Sequence, residues 1–380
     1  MGLLGTYFTL LLGPGVPLPA KPNIMEMIEH VEVQHSDTGH SGFQIVIRAG
    51  RSKFEVLDSL LMFDLTLKPF SRVVMIITFN GFPRVLFDGV ILNQQFSPGE
   101  GPGEARLTIS GKDAGALMDT EKPQSVEHPA QPDIAIVYKI LAKYAADGVI
   151  PMAIPPPNMD VPLPTQRIPS QQESDWNYLT RMAQRVGYSF HMEPGPAPGF
   201  STAYWGPPKR LSIPQKAITV NMGPETNASG LNFQYDAMAQ ERVMGMIQDS
   251  GLNVPVPIMT FLGLRPPLAT MPAYLAQSKT RVQDFREVGL SVAQAFAQAQ
   301  RMTDESQDRV LKVSGDIDAS VYGSILMPWA LVGMRGAGYN YDGFYYVQSV
   351  KHTMEPGSYK QHFEIVREGL GSTTPLVPTF

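Results

Sequence analysis

The first 120 residues alternate between apolar and polar positions. Val31 and Val33 are interleaved with Glu32 and Gln34, and Phe43, Ile45 and Ile47 with Gln44 and, further on, Arg48. A period of two sends one face to a core and the other to solvent, as half-buried strands require. Residues 7–12 read as a first strand ending in the turn Gly13-Pro14-Gly15. Residues 73–79 form a continuous apolar strand, and the Asn80-Gly81 that follows predicts a tight hairpin, because both residue types tolerate positive φ. The return strand, 85–92, carries Asp88-Gly89 in its middle, where a glycine suggests a bulge or a corner. A second hairpin follows, with its tip at 97–104 and a return strand at 106–110. Short strands spaced by turn signals predict a barrel or sandwich.

The period then changes. Ile134, Val137, Leu141 and Tyr144 share a helical stripe, with Asp133 placed to cap it and Gly148 beyond its end. Prolines crowd residues 151–169 and predict an extended surface connection. Ser170 and Glu173 have capping-box spacing ahead of a second stripe, Trp176, Leu179, Ala183 and Val186, closed by Gly187. Residues 188–192 read as a short strand. From about residue 216 strands return at 218–222 and 231–235, followed by a loop-rich stretch to Tyr274. Val292, Phe296, Ala299 and Met302 share a helix face. Asp304, Glu305 and Asp308 disfavour a helix C-terminus, so this helix is predicted to stop near Met302. The last strands are placed at 310–314, 325–332, 344–352 and 361–366. Asp88-Gly89, Pro98-Gly99 and the strand 106–109 are echoed by Asp342-Gly343, Pro356-Gly357 and 362–365. The echo reads either as two related β-domains or as the common look of any two hairpins.

A chain of 380 residues predicts two or three domains. The net charge of -5 lacks the basic excess of a nucleic-acid binder. With no cysteine, disulfides and thiolate metal sites are excluded. Residues 1–18 are apolar but hold no basic residue, and Gly13-Pro14-Gly15 breaks them, so they read as strand and turn rather than signal peptide. No run reaches the roughly 18 apolar residues of a membrane span, and a soluble chain is expected.

Candidate chemistry is sparse. His35, Asp37 and His40 lie within six residues but lack the i,i+4 spacing of helical metal ligands, and they read as a solvated turn. The densest carboxylates, Asp304, Glu305, Asp308, Asp316 and Asp318, read as a solvated helix end rather than a catalytic pair. Neither Gly-x-Ser-x-Gly nor His-Glu-x-x-His occurs. The glycines 99, 101 and 103 open no helix after a strand and make no phosphate loop. No catalytic, cofactor-binding or metal-binding residue is assigned, and neither enzyme activity nor a cofactor is expected. Trp176, on an apolar stripe, reads as core. Trp205, in Tyr204-Trp205-Gly206-Pro207-Pro208, reads as an exposed loop residue, and with Trp329 it keeps open a carbohydrate- or receptor-binding β-protein. A cell-wall hydrolase is a third, less favoured reading.

Three stretches resemble the central hub proteins of contractile tails: phage late control D proteins, the hub part of VgrG in type VI secretion, and hubs of extracellular injection systems. Residues 174–179 with 187–190 resemble the family's Ser-Asp-aromatic-x-aromatic-Leu helix closed by Gly and an aromatic strand. Residues 87–90 with 109–113 resemble the end of a first tube-like barrel. Residues 293–299, 311–315 and 345–352 resemble a second. The resemblance implies a mainly β protein with an α insert (α+β): a first tube-like barrel at 1–120, an α-containing insert at 121–212, a second barrel at 213–368 and a tail at 369–380. It further implies a homotrimer whose six barrels make a pseudo-six-fold ring around a channel. That ring would adapt a six-fold inner tube to a three-fold spike, among other baseplate components, in a phage virion or injection particle assembled in the cytoplasm. The sequence ends soon after the second barrel and shows no β-helical repeat, so the spike is expected to be a separate protein. Many relatives have Pro-Gly where Pro328-Trp329 stands here, which puts that local turn in question.

Overall fold

The computed structural model describes residues 5–49, 65–99, 104–122, 125–156, 168–248, 254–287, 290–374 and 377–378. The first unit runs β1 (Thr6–Gly13), β2 (Leu18–Pro19), α1 (Pro22–Met27), β3 (Ile28–Ser36), β4 (Gly42–Arg48), β5 (Arg72–Phe79), β6 (Phe82–Ser97) and β7 (Arg106–Asp113). The alternation holds: Val31, Val33, Phe43, Ile45 and Ile47 are buried in one core with Leu10, Val73, Ile77 and Phe87. Asn80 and Gly81 both adopt positive φ, 49° and 86°, and close the β5–β6 hairpin. Gly89 permits a close approach of β6 and β7, since a Cβ there would stand 2.1 Å from the Lys112 carbonyl oxygen.

The insert contains β8 (Val126–Glu127), α2 (Asp133–Leu141), β9 (Val149–Ala153), β10 (Ser170–Gln171), α3 (Asp175–Arg185), β11 (Ser189–Pro194) and β12 (Ser201–Gly206). Both apolar stripes pack on the sheet β11-β12-β9 through Val137, Leu141, Trp176, Leu179 and Ala183. Three boundaries differ from the sequence reading. Asp133 is the first helical residue, and Pro132 takes the cap position. The cap of α3 lies four residues past Ser170, at Ser174, whose hydroxyl accepts from the Asn177 amide, while Ser170 pairs with Glu127 between strands. The proline-rich stretch opens as β9, which among the described residues pairs only with β12; Pro151 is tolerated on that edge. Residues 157–167 of that stretch lie outside the described residues.

The second unit runs β13 (Gln215–Thr219), β14 (Ala228–Tyr235), β15 (Glu241–Gln248), β16 (Pro255–Met259), β17 (Ala269–Pro272), β18 (Arg281–Phe285), α4 (Val292–Asp308), β19 (Leu311–Asp318), β20 (Leu331–Arg335), β21 (Gly343–Glu355), β22 (Ser358–Arg367) and β23 (Gly369–Ser372). The stretch read as loop holds β15 and β16, which with β18 form a small sheet packed on α4 through Val243, Ile258, Ala295 and Ala299. The strand expected from 325 forms only from Leu331, because Pro328 lacks an amide hydrogen to donate. α4 continues to Asp308, past its predicted stop at Met302.

Among the described residues thirteen strands form one sheet, with the path β14-β19-β22-β21-β3-β4-β7-β6-β5-β1-β2 and with β20 and β13 branching from β21. Within it the units share one order. The first reads β3-β4-β7-β6-β5-β1 and the second β14-β19-β22-β21-β20-β13, matched member by member in chain order. They differ at the last pairing, antiparallel for β1 with β5 and parallel for β13 with β20. The hairpins β6–β7 and β21–β22 each carry a bulge, between Ile91 and Asn93 and between Val347 and Ser349. Leu92 therefore matches Gln348, and Asp88 falls opposite Phe344. The two hairpins correspond, but the Asp-Gly echo sits two residues out of register.

The units join because β21 changes partner along its length. Its first residues pair with β20, and Ser349–Met354 pair with β3. β6 pairs with β5 only as far as Val90. Beyond the bulge its residues 93–97 are exposed and, among the described residues, ladder only with β7. β14 likewise ladders only with β19 and ends the sheet. Hydrogen bonding closes neither unit into a barrel among the described residues; the structure shows instead two like-ordered, mainly antiparallel units.

Candidate functional site

His35, Asp37 and His40 do not form a solvated turn. Each turns to a different buried neighbourhood. His35, at the end of β3, donates from Nε2 to the Leu86 carbonyl at 3.0 Å and accepts at Nδ1 from the Ser41 hydroxyl at 3.0 Å. Burial pushes its pKa down to about 4, so the ring is neutral. Its edge meets His352 of β21 at 5.7 Å and Trp329 at 5.7 Å. Trp329 in turn stacks on His191 of β11, centroids 4.7 Å apart and 3° from parallel. This run of rings belongs to the first unit, the second unit and the insert, and it pins the three together. Burial, then the nearby His35, holds His352 well below the usual imidazole range, and its Nε2 has no hydrogen-bond partner among the described residues.

His40 makes a second tie. Its Nδ1 meets Asp113 and its Nε2 Asp119, both at 3.0 Å, while the ring stacks on Trp176 at 3.8 Å. Burial opposes the charged ring, but the two carboxylates outweigh it and hold the pKa above its usual value. Asp113 also accepts from the Ser41 and Gly115 amides, so one side chain fixes the end of β7. Among the described residues no three His, Cys, Asp or Glu side chains come close enough to hold a metal ion.

The acidic helix end is a buried network, not a solvated one. Asp308 pairs with Arg210 and Arg265. Asp304 accepts from the Leu264 amide at 2.9 Å and from Gln300 at 2.9 Å. Glu368 takes the Ala269 amide at 2.7 Å and lies 3.4 Å from Arg210. These partners offset the helix-dipole penalty and explain why α4 runs on. Asp316 and Asp318 lie apart from it, on β19; Asp316 pairs with His362 and Asp318 caps a short helix through the Ser320 amide. Beside the network, Asp37, Arg301, Glu305, Asp308 and Arg309 line a cavity of about 250 Å³. Burial, then the charge of Glu305, raises the Asp37 pKa to about 7, and its Oδ1 has no hydrogen-bond partner among the described residues.

All three tryptophans are core. Trp176 is buried as expected. Trp205 is not in a loop but in β12, fully buried, donating to the Leu179 carbonyl at 3.2 Å; the Gly-Pro-Pro after it marked the end of a strand rather than an exposed turn. Trp329 holds φ of +65°, the conformation a glycine would adopt, so the turn survives the exchange. None offers a face to solvent for a sugar. Residues 100–103 of the glycine-rich tip lie outside the described residues. Asp88 was singled out only as half of a turn signal; it is buried and bonds Arg72 at 2.7 Å, which also donates to the Asp147 carbonyl of the insert.

No protein-family model matches this sequence, and no curated protein matches it. Solved structures do. A tail protein of Neisseria meningitidis superposes with a TM-score of 0.64 at 14% identity, covering 97% of this chain and 98% of that one. The 43 kDa tail protein of prophage MuSo2 from Shewanella oneidensis gives 0.61 at 13% identity, over 96% and 98%. A chain of the Francisella PdpA–VgrG complex gives 0.56 at 11% identity over all of this chain and 55% of its own length. No helix among the described residues is long and apolar enough to cross a membrane. With its buried ties and one sheet running through two like-ordered units, this chain has a fold similar to that of the two tail proteins and of the chain from the PdpA–VgrG complex.

Proposed function

We propose that this chain is a structural baseplate hub of a contractile tail or injection machine, a component of a virion or injection particle. In this reading it is a homotrimer that adapts a six-fold inner tube to a three-fold spike. It would contact the tube protein, a separate spike protein and other baseplate components, and line the channel between them. The carrying observation is the repeat of one six-strand order within a single chain, on a fold matched end to end by two tail proteins. Three copies of a chain with one such unit present three equivalent faces; three copies with two units present six quasi-equivalent ones. The division into barrels at 1–120 and 213–368, an insert at 121–212 and a tail at 369–380, whose first residues form β23 and pair with β17 of the second unit, belongs to the same proposal. A catalytic role is not part of it: the polar clusters found are ties within the fold.

Native mass spectrometry and negative-stain imaging of the purified chain test it. The expected result is a trimer with a central hole and near-six-fold outline. A chain that stays monomeric alone and when co-produced with tube and spike proteins rejects the hub reading.

A further inference from the structure

We infer that the edge of β6 at residues 93–97, open among the described residues, pairs with β14 of a second copy of this chain, in the register that β21 and β3 use within one chain. The number of copies rests on the hub reading above; the residues come from the internal repeat. β6 corresponds to β21, and β14 to β3. Within the chain β21 uses its second half to take β3, pairing Val350 with His35, Lys351 with Gln34, His352 with Val33 and Thr353 with Glu32. In the isolated chain the second half of β6 and the outer edge of β14 are the two members of that pairing left without each other.

The register follows from the ladders. The matched bulges set Asn93 against Ser349, whose partners on the next strand are Ser110 and Glu364. Those pair with Gln44 and Ser314, which pair with Glu32 and Asn232. Asn232 therefore stands where Glu32 stands. A bulge also falls at nearly the same place in β3, between Ile28 and His30, and in β14, between Ser229 and Asn232. Carried across, the pairing sets Gln94 against Tyr235, Gln95 against Gln234, Phe96 against Phe233 and Ser97 against Asn232.

The side chains suit that pairing. Phe96, apolar yet 38% exposed, would face the half-buried Phe233, and Gln95 would face Gln234; facing aromatic and amide pairs stabilise antiparallel strands. Residues 93–97 and 232–235 hold no charged side chain, the usual guard of a strand edge against pairing. Such an edge accepts an added strand through its main chain. Because the two edges differ, the contact is head-to-tail, and repeating it makes a ring.

The chain has no cysteine, so introduced thiols report alone. The double variants Gln95→Cys with Gln234→Cys, and Phe96→Cys with Phe233→Cys, are oxidised mildly and run without reductant. Covalent dimers and trimers are expected from at least one of them, at least tenfold above an off-register control, Gln95→Cys with Asn232→Cys. Native mass is taken on the same samples. A trimer that cross-links at neither pair overturns the edge pairing and leaves the hub reading intact. A chain monomeric alone and with tube and spike proteins overturns both.

Discussion

Asp37 is a residue whose cost can be read in pH. Its folded pKa is raised to about 7 by burial and by Glu305, so the folded state holds a proton that the unfolded chain has already released. Stability contributed at this site falls as pH rises from about 4 to about 7. Asp37→Asn is expected to stabilise the fold by about 1–3 kcal/mol at pH 8 and to change little below pH about 4, as urea midpoints would show. The buried imidazoles have the opposite slope. His35 and His352 refuse protons that an unfolded chain takes below pH about 6.5, so folded stability declines from there toward pH about 4. His352→Gln should flatten that acid limb. Trp329→Gly separates conformation from packing: it eases a positive φ but deletes the stack on His191 and the bond to the Ser36 carbonyl. Packing dominates, and a loss of about 3 kcal/mol is expected in chemical denaturation.

The short α1 and β2 of the first unit were not legible, whereas its longer strands were, because alternation, turn residues and burial agree there. The same holds for the apolar stripes of α2 and α3. What escaped was decided by distant partners. The end of α4 reads as a poor helix terminus until Arg210 and Arg265, from other parts of the chain, reach Asp308. Trp205 reads as loop because the Gly-Pro-Pro after it outweighs the four residues before it, which pair on both sides with β9 and β11. β15 and β16 hide in a stretch where Met and Pro replace the β-branched residues that mark strands. The acidic network also gives a prediction at this scale. Asp308→Asn leaves two buried guanidinium groups short of charge, and a loss of about 3–5 kcal/mol is expected, with the end of α4 fraying first in hydrogen exchange.

At the scale of the whole molecule, the repeat of strand order was half legible. Comparing the hairpins pointed to two related units, yet the Asp-Gly match behind it sits out of register, and Asp88 owes its place to Arg72 instead. The bulges carry the true alignment, and a bulge leaves almost no trace in sequence. Unfolding followed by tryptophan fluorescence and by far-ultraviolet dichroism is expected to give coincident transitions, because the shared sheet and the ring stack leave neither unit a separate boundary. Two resolved transitions would count against that coupling.

The change of partner along β21 has a mechanical consequence. Six residue pairs between β21 and β3 lie side by side. A pull along the strands loads all of them in shear at once, whereas a pull across the sheet would open them one after another. The seam between the two units is therefore stiffest along the strand direction, and the chain behaves as a single rigid link under a load applied that way.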